Sequence, residues 1–278
     1  ADPAVAPVYG QGQIIPVIKP GMIMQKGRYK LLLQELHELS DVDDAYFAAL
    51  YGALIERYIR FVQAIPEQAG GSVFGLLNNG LVRGVMALQE FIAHSSAEQA
   101  EPIYRYAVFS AALLLNVSKV VTQQSIMVTN EAGEFITDWR PCWGDYICDK
   151  GEYYKYYSYA TPYNRLDVSL TSTLAIEVMP EIGFRWISDD FTVFADWLDA
   201  LLGNSVQGGR ITRALEHVKL MDLDNAIRCL GVISLDVTDG MANQYGEDFL
   251  QWLKNGISDE SISVNESDSL VHVVDHGV

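Results

Sequence analysis

The sequence predicts a mainly α-helical fold that carries a small β insertion and a short C-terminal α/β appendage. Apolar residues recur every three or four positions over most of the chain, which is typical of helices with one buried face. A length of 278 residues, with 49% hydrophobic and 20% charged residues, is enough for a large core. We expect an N-terminal arm over residues 1–26, a helical domain over 27–222 with a β and aromatic insertion at about 124–160, and the appendage over 223–278.

The arm is rich in Pro and Gly, and short apolar runs such as Ile14 and Ile15 predict that it packs against the body. Four helices are predicted to follow, because their apolar residues share one face. Pro66 indicates where the second of them ends, since proline cannot continue a helix from its interior. The predicted bounds of the four helices are about 27–39, 43–64, 76–94 and 100–119.

The insertion is predicted to begin with a β-hairpin. Ile126, Val128 and Phe135 lie on either side of residues 130–133, whose Asn and Gly are typical of a turn. A tyrosine-rich run follows at residues 153–157, and two interpretations of it stay open with equal weight. Its rings form a platform for a protein partner, or they form one strand that turns half of them inward. The candidate partner-binding residues are Tyr153, Tyr154, Tyr156 and Tyr157.

Helices are predicted to resume after the insertion and to continue into the appendage. Residues 222–240 contain a β-branched run that indicates a strand or an interdomain segment. A second hairpin is predicted around residues 265–268, where Asn and Asp interrupt apolar runs. The predicted helices of this half lie at about 162–179, 189–203, 208–220 and 243–256.

Charge and cysteine content restrict the partners and the location. The net charge of −17 and a pI of about 4.5 disfavour nucleic acid and acidic membranes and favour basic protein partners. Three cysteines in so long a chain indicate a reducing compartment rather than a disulfide framework. The sequence shows no signal peptide and no apolar run long enough to span a bilayer, so we expect a cytoplasmic protein. A complex with other proteins could hold it at the inner membrane.

The residues alone predict no active site. The chain has no phosphate-binding glycine motif and no nucleophile elbow. His37, His94 and His217 are far apart along the sequence and are interpreted as ordinary helix residues rather than metal ligands. Cys142 and Cys148 have no neighbouring Cys or His to complete a metal site, so we interpret them as ordinary thiols. The 36 acidic residues make any single acid–base pair unspecific.

Five segments agree in order and spacing with one known family: residues 55–66, 75–81, 106–119, 183–187 and 194–201. Together they resemble the N-terminal domain of MobH-type conjugative relaxases, a family similar to HD-domain phosphohydrolases, and the resemblance covers roughly residues 20–230. It implies a helical bundle like that of HD domains. Metal-dependent hydrolysis of a phosphate ester is the chemistry of intact members.

The residues at the family's metal-binding positions are different in this chain. Residues 68–71 contain none of the expected histidines, Asn79 replaces another, and the His-Asp pair falls on Leu115 and Asn116. Two later histidines fall on Asp167 and near Ile176. Leucine has no lone pair and amides are weak ligands, so these positions could not hold a divalent ion against water. The departures imply no catalytic residue, no metal and no cofactor, and therefore a pseudoenzyme.

Residues 246–256, 264–265 and 270–277 resemble the opening of the relaxase second domain. The family context then implies an inactive scaffold or adaptor in a bacterial type IV secretion coupling complex. Its partners would be other subunits and their substrates, with homodimerisation also open and no nucleic acid expected. Two alternatives remain: a metal-dependent phosphohydrolase or DNA-processing relaxase fragment, and a sensor that binds a small molecule in the former metal pocket.

Overall fold

Helices make up most of the described chain in the computed structural model, and one small antiparallel sheet packs beside them. The structure describes residues 10–25, 27–96, 99–159, 164–204, 206 and 208–219. The mainly α fold with a small β insertion is therefore confirmed. The predictions for residues 222–240, for the helix at 243–256, for the second hairpin and for the appendage lie outside the described residues. Within the described part, every helix is too short or too polar to cross a membrane.

The elements run in the following order. The helices are α1 (Pro20–Met24), α2 (Gly27–Ser40), α3 (Asp44–Phe47), α4 (Ala53–Val62), α5 (Gly75–Ala93), α6 (Pro102–Leu114), α7 (Lys119–Thr122), α8 (Asn164–Val178), α9 (Glu181–Asp189), α10 (Phe191–Leu202) and α11 (Arg210–Lys219). A π-helical turn, Ala48–Gly52, joins α3 to α4. The strands are β1 (Ile15–Pro16), β2 (Gln124–Thr129), β3 (Phe135–Asp138) and β4 (Tyr153–Ser158).

The described part of the arm packs on the body, as predicted. β1 pairs with β4 in antiparallel register, with Ile15 opposite Tyr154. The backbone N–H of Ile18 donates to the Oε1 atom of Gln63 at 2.8 Å, and the Gln63 amide donates back to the Ile18 carbonyl at 3.1 Å. Gln63 ends α4 with a φ of 46°, so one buried side chain terminates a helix and anchors the arm.

The hairpin of β2 and β3 is confirmed, and the tyrosine run forms the strand β4. The sheet order is β1-β4-β2-β3, and all its pairs are antiparallel. β4 lies between β1 and β2, with Tyr154 opposite Val128. Because side chains alternate between the two faces of a strand, this position buries one set of tyrosines and leaves the other nearer to solvent.

The core is centred on the packed pair α5 and α6. At Gly84 an added Cβ would lie 2.8 Å from the ring of Phe109, so glycine permits the close approach of the two helices. The indole N–H of Trp197, on α10, donates to the Oγ atom of Ser110 at 3.0 Å. These two contacts attach α5 and α10 to neighbouring residues of α6, and the indole N–H and the serine hydroxyl are satisfied inside the core.

The helices differ from the prediction at several points. The second predicted helix contains the π turn, and the fourth ends at Leu114, with α7 as a separate turn. Residues 181–189 form a helix that was not predicted. Asp190 alone joins it to α10, where its carboxylate accepts from the N–H groups of Thr192 and Val193. This N-cap starts a new helix axis after one residue, which apolar spacing does not reveal.

Candidate functional site

The carboxylate of Glu67 is mostly shielded from solvent, and it contacts side chains from two other parts of the chain. It lies in the loop between α4 and α5, and its side chain is 12% exposed. The amide groups of Asn79 on α5 and Asn116 after α6 each donate to it at 2.5 Å. The guanidinium of Arg83 donates from Nη1 to the Oε1 atom at 3.1 Å. We call Glu67, Asn79, Arg83 and Asn116 the Glu67 cluster.

The Glu67 cluster keeps its carboxylate charged. Burial by itself raises the pKa of Glu67, but the charge of Arg83, the two amide donors and the charge of Lys119 together lower the pKa below its ordinary value. Arg83 is only 4% exposed, and its Nε atom also donates to the Ala112 carbonyl at 2.9 Å. The cluster is therefore a buried ion pair in which a guanidinium supplies the positive charge.

One cavity lies beside the Glu67 cluster. Its volume is about 380 Å³, and it is lined in part by Arg83, Leu115, Asn116, Asp167 and Lys219. The Nη2 atom of Arg83 is buried and has no hydrogen-bond partner among the described residues. A buried donor without a partner is costly, so the cluster holds Arg83 at the expense of one unsatisfied NH₂ group.

Asp167 faces hydroxyl groups rather than other carboxylates or imidazoles. It lies in the first turn of α8 and accepts from Ser118 Oγ at 2.6 Å and from Thr122 Oγ1 at 2.8 Å. Thr171 Oγ1 donates to Ser118 Oγ at 2.9 Å, which orders the donors further. These contacts hold the carboxylate on one wall of the cavity.

The structure brings four of the five predicted former metal-site positions into this region. Asn79 and Asn116 both contact Glu67, whereas Leu115, Asn116 and Asp167 line the cavity. Ile176 is 38% exposed on α8 and is not one of the residues that line the cavity. Whether any of these positions descends from a metal site stays a prediction.

The residues present do not fit the metal centre that the resemblance implies for intact relatives. Glu67 directs its oxygens at Arg83 and at two amides, and an ion that approached it would have to displace these donors. Leu115 offers no lone pair, and the cluster contains no imidazole to bind a transition metal. The arrangement can keep the carboxylate of Glu67 neutralised by the guanidinium of Arg83, and it can present hydrogen-bond donors to the cavity.

Sequence reasoning missed the two central residues, Glu67 and Arg83. A signal existed, because Arg83 is the single charged residue in the stretch 75–89 of a helix that is apolar on most sides. Such a helix is buried, and a buried arginine requires a carboxylate partner. The identity of that partner required the fold.

The tyrosine strand offers less surface than its sequence indicated. Tyr154 is fully buried and its hydroxyl accepts from the backbone N–H of Ala64 at 2.9 Å, while Tyr156 is 4% exposed. The inclusion of these two rings in a partner-binding surface was therefore wrong, because the sheet turns them inward. Tyr153 is half-buried and Tyr157 is 39% exposed, so a role in partner binding stays a prediction for these two.

His94 and His217, which are far apart along the sequence, meet at Glu90 in the structure, and their interpretation as ordinary helix residues stays a prediction. His94 Nδ1 lies 3.0 Å from Glu90 Oε2, and His217 Nδ1 lies 3.6 Å from Glu90 Oε1. His37, in contrast, is a partly exposed helix residue beside Asp44, at 3.4 Å. Helix α11 brings His217 to the end of α5 from more than a hundred positions away, a proximity without a local sequence signal.

The comparisons with known proteins concern the C-terminal segment. A family model described as "Putative conjugal transfer nickase/helicase TraI C-term" matches residues 244–278. The match supports an origin related to conjugation relaxases, and it agrees with the resemblance predicted for residues 246–277. No curated protein matches the chain. The resemblance of residues 20–230 to the MobH-type N-terminal domain stays a prediction.

Proposed function

We propose that this chain is a catalytically inactive scaffold or adaptor of a conjugation-related type IV coupling complex, and that it acts by binding other protein subunits. The observation that carries the proposal is the Glu67 cluster. A pair of charges and two amides meet there, and two of these residues, Asn79 and Asn116, are positions at which the resemblance implies metal ligands in intact relatives. The match of residues 244–278 to a conjugal transfer family supports the biological setting.

The chemistry of the Glu67 cluster argues against hydrolysis at that position. A metal-dependent phosphohydrolase needs several ligand lone pairs that converge on an ion and lower the pKa of a bound water. In this chain the donors converge on Glu67 instead, and Arg83 neutralises it. Asp167 is held by Ser118 and Thr122, so its carboxylate is also committed to hydrogen bonds.

The charge of the chain supports a protein-binding role. The proposal places this role in the cytoplasm, at the inner membrane through the complex. A net charge of −17 steers basic protein surfaces toward the chain and repels nucleic acid. Tyr157 and Tyr153 are the members of the tyrosine strand that remain available to such a partner. Homodimerisation is a further expectation under the same proposal.

The first test measures hydrolysis. The full chain is incubated with a chromogenic phosphodiester and with Mg²⁺, Mn²⁺, Fe²⁺ or Zn²⁺ in turn, beside the Glu67→Gln and Asp167→Asn variants. We expect that the wild type shows no turnover that depends on Glu67 or Asp167, so neither substitution should lower the measured rate. Metal-dependent turnover that is lost in both variants would establish the enzyme alternative and reject the scaffold.

The second test identifies the partners. The tagged chain is captured from its native cell in parallel with the Tyr157→Ala variant and with an Arg185→Ala control, which changes an exposed residue on α9. We expect subunits of the coupling complex to be enriched with the wild type and the control, and to dissociate as the salt concentration rises. Capture of no transfer protein in any arm would contradict the proposed role.

A second candidate function is favoured by the cavity beside the Glu67 cluster. Arg83 and Lys219 both line this cavity, and their positive charges suit a small anionic ligand, which would make the domain a sensor. Thermal unfolding with inorganic phosphate, nucleotides and dicarboxylates tests it. A rise in Tm that Lys219→Ala removes and Arg185→Ala preserves would support the sensor, and an unchanged Tm throughout would dismiss it.

A further inference from the structure

A second polar cluster lies where the C-terminal end of α5 meets α11. Glu90 lies in the last turn of α5, His94 is the C-cap residue four positions later, and His217 faces them from α11. One ligand atom from each residue can be chosen so that all three lie within 4.8 Å of one another. We call Glu90, His94 and His217 the Glu90 site. It shares no residue with the Glu67 cluster or with its cavity.

The distances within the Glu90 site are close to those between the ligand atoms of a zinc ion. Ligand atoms that bind Zn²⁺ at ~2.1 Å are about 3.4 Å apart. His94 Nδ1 is 3.0 Å from Glu90 Oε2, and His217 Nδ1 is 3.6 Å from Glu90 Oε1. The two imidazole rings are 5.6 Å apart and nearly perpendicular, so their nitrogens can turn toward one point without a ring clash.

Burial gives Glu90 an independent reason to attract a cation. Its side chain is 18% exposed, and its Oε2 atom is buried without a hydrogen bond from any described residue. His94 Nδ1 lies 3.0 Å from Oε2 but is at the same distance from the Glu90 backbone carbonyl oxygen, with which it makes a hydrogen bond. A buried carboxylate oxygen that accepts nothing is costly. The side chains of His94 and His217 are 66% and 60% exposed, so both rings can adjust their rotamers at little cost.

We propose that Glu90, His94 and His217 bind a divalent transition metal, with Zn²⁺ as the ion that fits best. Two imidazoles and one carboxylate are a ligand set that zinc uses with a fourth position left to water or another ligand. Hard ions such as Mg²⁺ and Ca²⁺ favour all-oxygen sites, which the two imidazoles do not provide. The (i, i+4) spacing of Glu90 and His94 places two of the ligands on one helix face.

The surroundings of the Glu90 site leave room for a fourth ligand. A cavity of about 490 Å³ opens at the site, and Arg210, Arg213 and Glu216 line it together with the three ligands. A bound Zn²⁺ with one carboxylate ligand retains a positive charge; the two arginines add to it, and Glu216 offsets one of them. An anion or a water molecule is therefore the ligand that this charge favours in the fourth position.

Metal at the Glu90 site would connect α11 to the core helix α5. These helices also pack through apolar residues, including the buried Ile211 and Leu215 of α11. An ion shared between the two helices binds the folded chain in preference to the unfolded one, and it stabilises the fold by mass action. The site would thus secure the last described helix, which directly precedes residues 220–278.

The test uses the full chain after removal of metal by chelation. Zn²⁺ is titrated in competition with a chromophoric chelator, and Co²⁺ is used in parallel for its visible absorption. We expect one equivalent of Zn²⁺ to bind, a four-coordinate Co²⁺ spectrum, and a rise in Tm on metal addition. His94→Ala and His217→Ala should each weaken Zn²⁺ binding by more than about 100-fold, which is beyond the loss of a mere supporting contact.

Three control variants separate the Glu90 site from other metal-binding groups. His37→Ala, Cys142→Ser with Cys148→Ser, and His272→Ala with His276→Ala should all keep the affinity of the wild type. Circular dichroism checks that the His94 and His217 variants fold, as their exposure leads us to expect. Binding that survives in the double variant His94→Ala/His217→Ala, or no binding by the wild type, would overturn the proposal. Neither result changes the tests of the scaffold.

Discussion

Replacement of Arg83 by methionine is the perturbation that examines the Glu67 cluster most closely. The substitution keeps a long apolar side chain but leaves Glu67 charged in a site where only 12% of its side chain is exposed. Removal of one partner from a buried ion pair costs about 3–5 kcal/mol. Asn79 and Asn116 continue to donate to the carboxylate, so we place the loss of unfolding free energy at the lower end, about 3 kcal/mol.

The assay is urea unfolding followed by circular dichroism, with the double-mutant cycle of Glu67→Gln and Arg83→Met. The double variant removes both charges, so its loss should be smaller than the sum of the two single losses by about 2 kcal/mol. Arg185→Met is the matched control, because this arginine is 74% exposed in its pair with Glu181. It should change the free energy by less than about 0.5 kcal/mol. An Arg83→Met variant as stable as that control, or fully additive losses, would refute the buried pair.

Three further predictions concern the same core. The folded chain lowers the pKa of Glu67 below its ordinary value of 4.5, so ionised Glu67 stabilises the fold fully above that pH. This stabilisation is lost as the pH falls through the lower pKa of the folded state. In urea unfolding at several pH values, the Glu67→Gln variant should lack this acid dependence. Gly80→Ala should cost roughly 1–3 kcal/mol by urea unfolding, because the added Cβ would meet the hydroxyl of Tyr58. Tyr154→Phe should cost about 1–3 kcal/mol in the same assay by leaving a buried N–H group without its acceptor, whereas Tyr157→Phe should be nearly neutral.

Each of these predictions has an outcome that contradicts it. The acid dependence is contradicted if the unfolding free energies of the wild type and of Glu67→Gln change in parallel below pH 4.5. For Gly80, Gly21→Ala is the control, since an added Cβ meets nothing within 4 Å there. Equal stability of these two variants would show that the contact between α4 and α5 can accommodate an added methyl group. For the tyrosines, a Tyr157→Phe variant as unstable as Tyr154→Phe would reverse the assignment of the two strand faces.

The sequence predicted the helices because their apolar faces are continuous. Helix α5 was expected at 76–94 and runs from Gly75 to Ala93, and α2 was expected at 27–39 and runs from Gly27 to Ser40. The hairpin followed from its turn residues. These elements depend on local periodicity and turn chemistry, which any window of the sequence contains.

What the sequence could not show depends on contacts between distant residues. The π turn at Ala48–Gly52 keeps the apolar periodicity of its flanking helices, so it leaves no separate signal. Tyr154 and Tyr157 are the same residue type in the same strand, and the pairing with β1 and β2 decides which one is buried. Pairing register is a property of the sheet rather than of one strand.

The candidate site was predictable in its positions and not in its organisation. Asn79, Asn116 and Asp167 were chosen through a family resemblance, and the structure places them near one another. The partner that unites the first two, Glu67, carried no motif. The meeting of His94 with His217 depends on the packing of α11 on α5, so no local pattern could have revealed it.

The central claim is that a guanidinium and two amides, rather than a metal ion, balance the charge of Glu67. Anomalous diffraction from crystals of the full chain soaked in Mn²⁺ and then in Zn²⁺ tests it most directly. We predict no anomalous peak within coordinating distance of Glu67, Asn116 or Asp167, whatever is bound at Glu90. A peak bonded to Glu67 or Asp167, with Arg83 displaced from the carboxylate, would contradict the account.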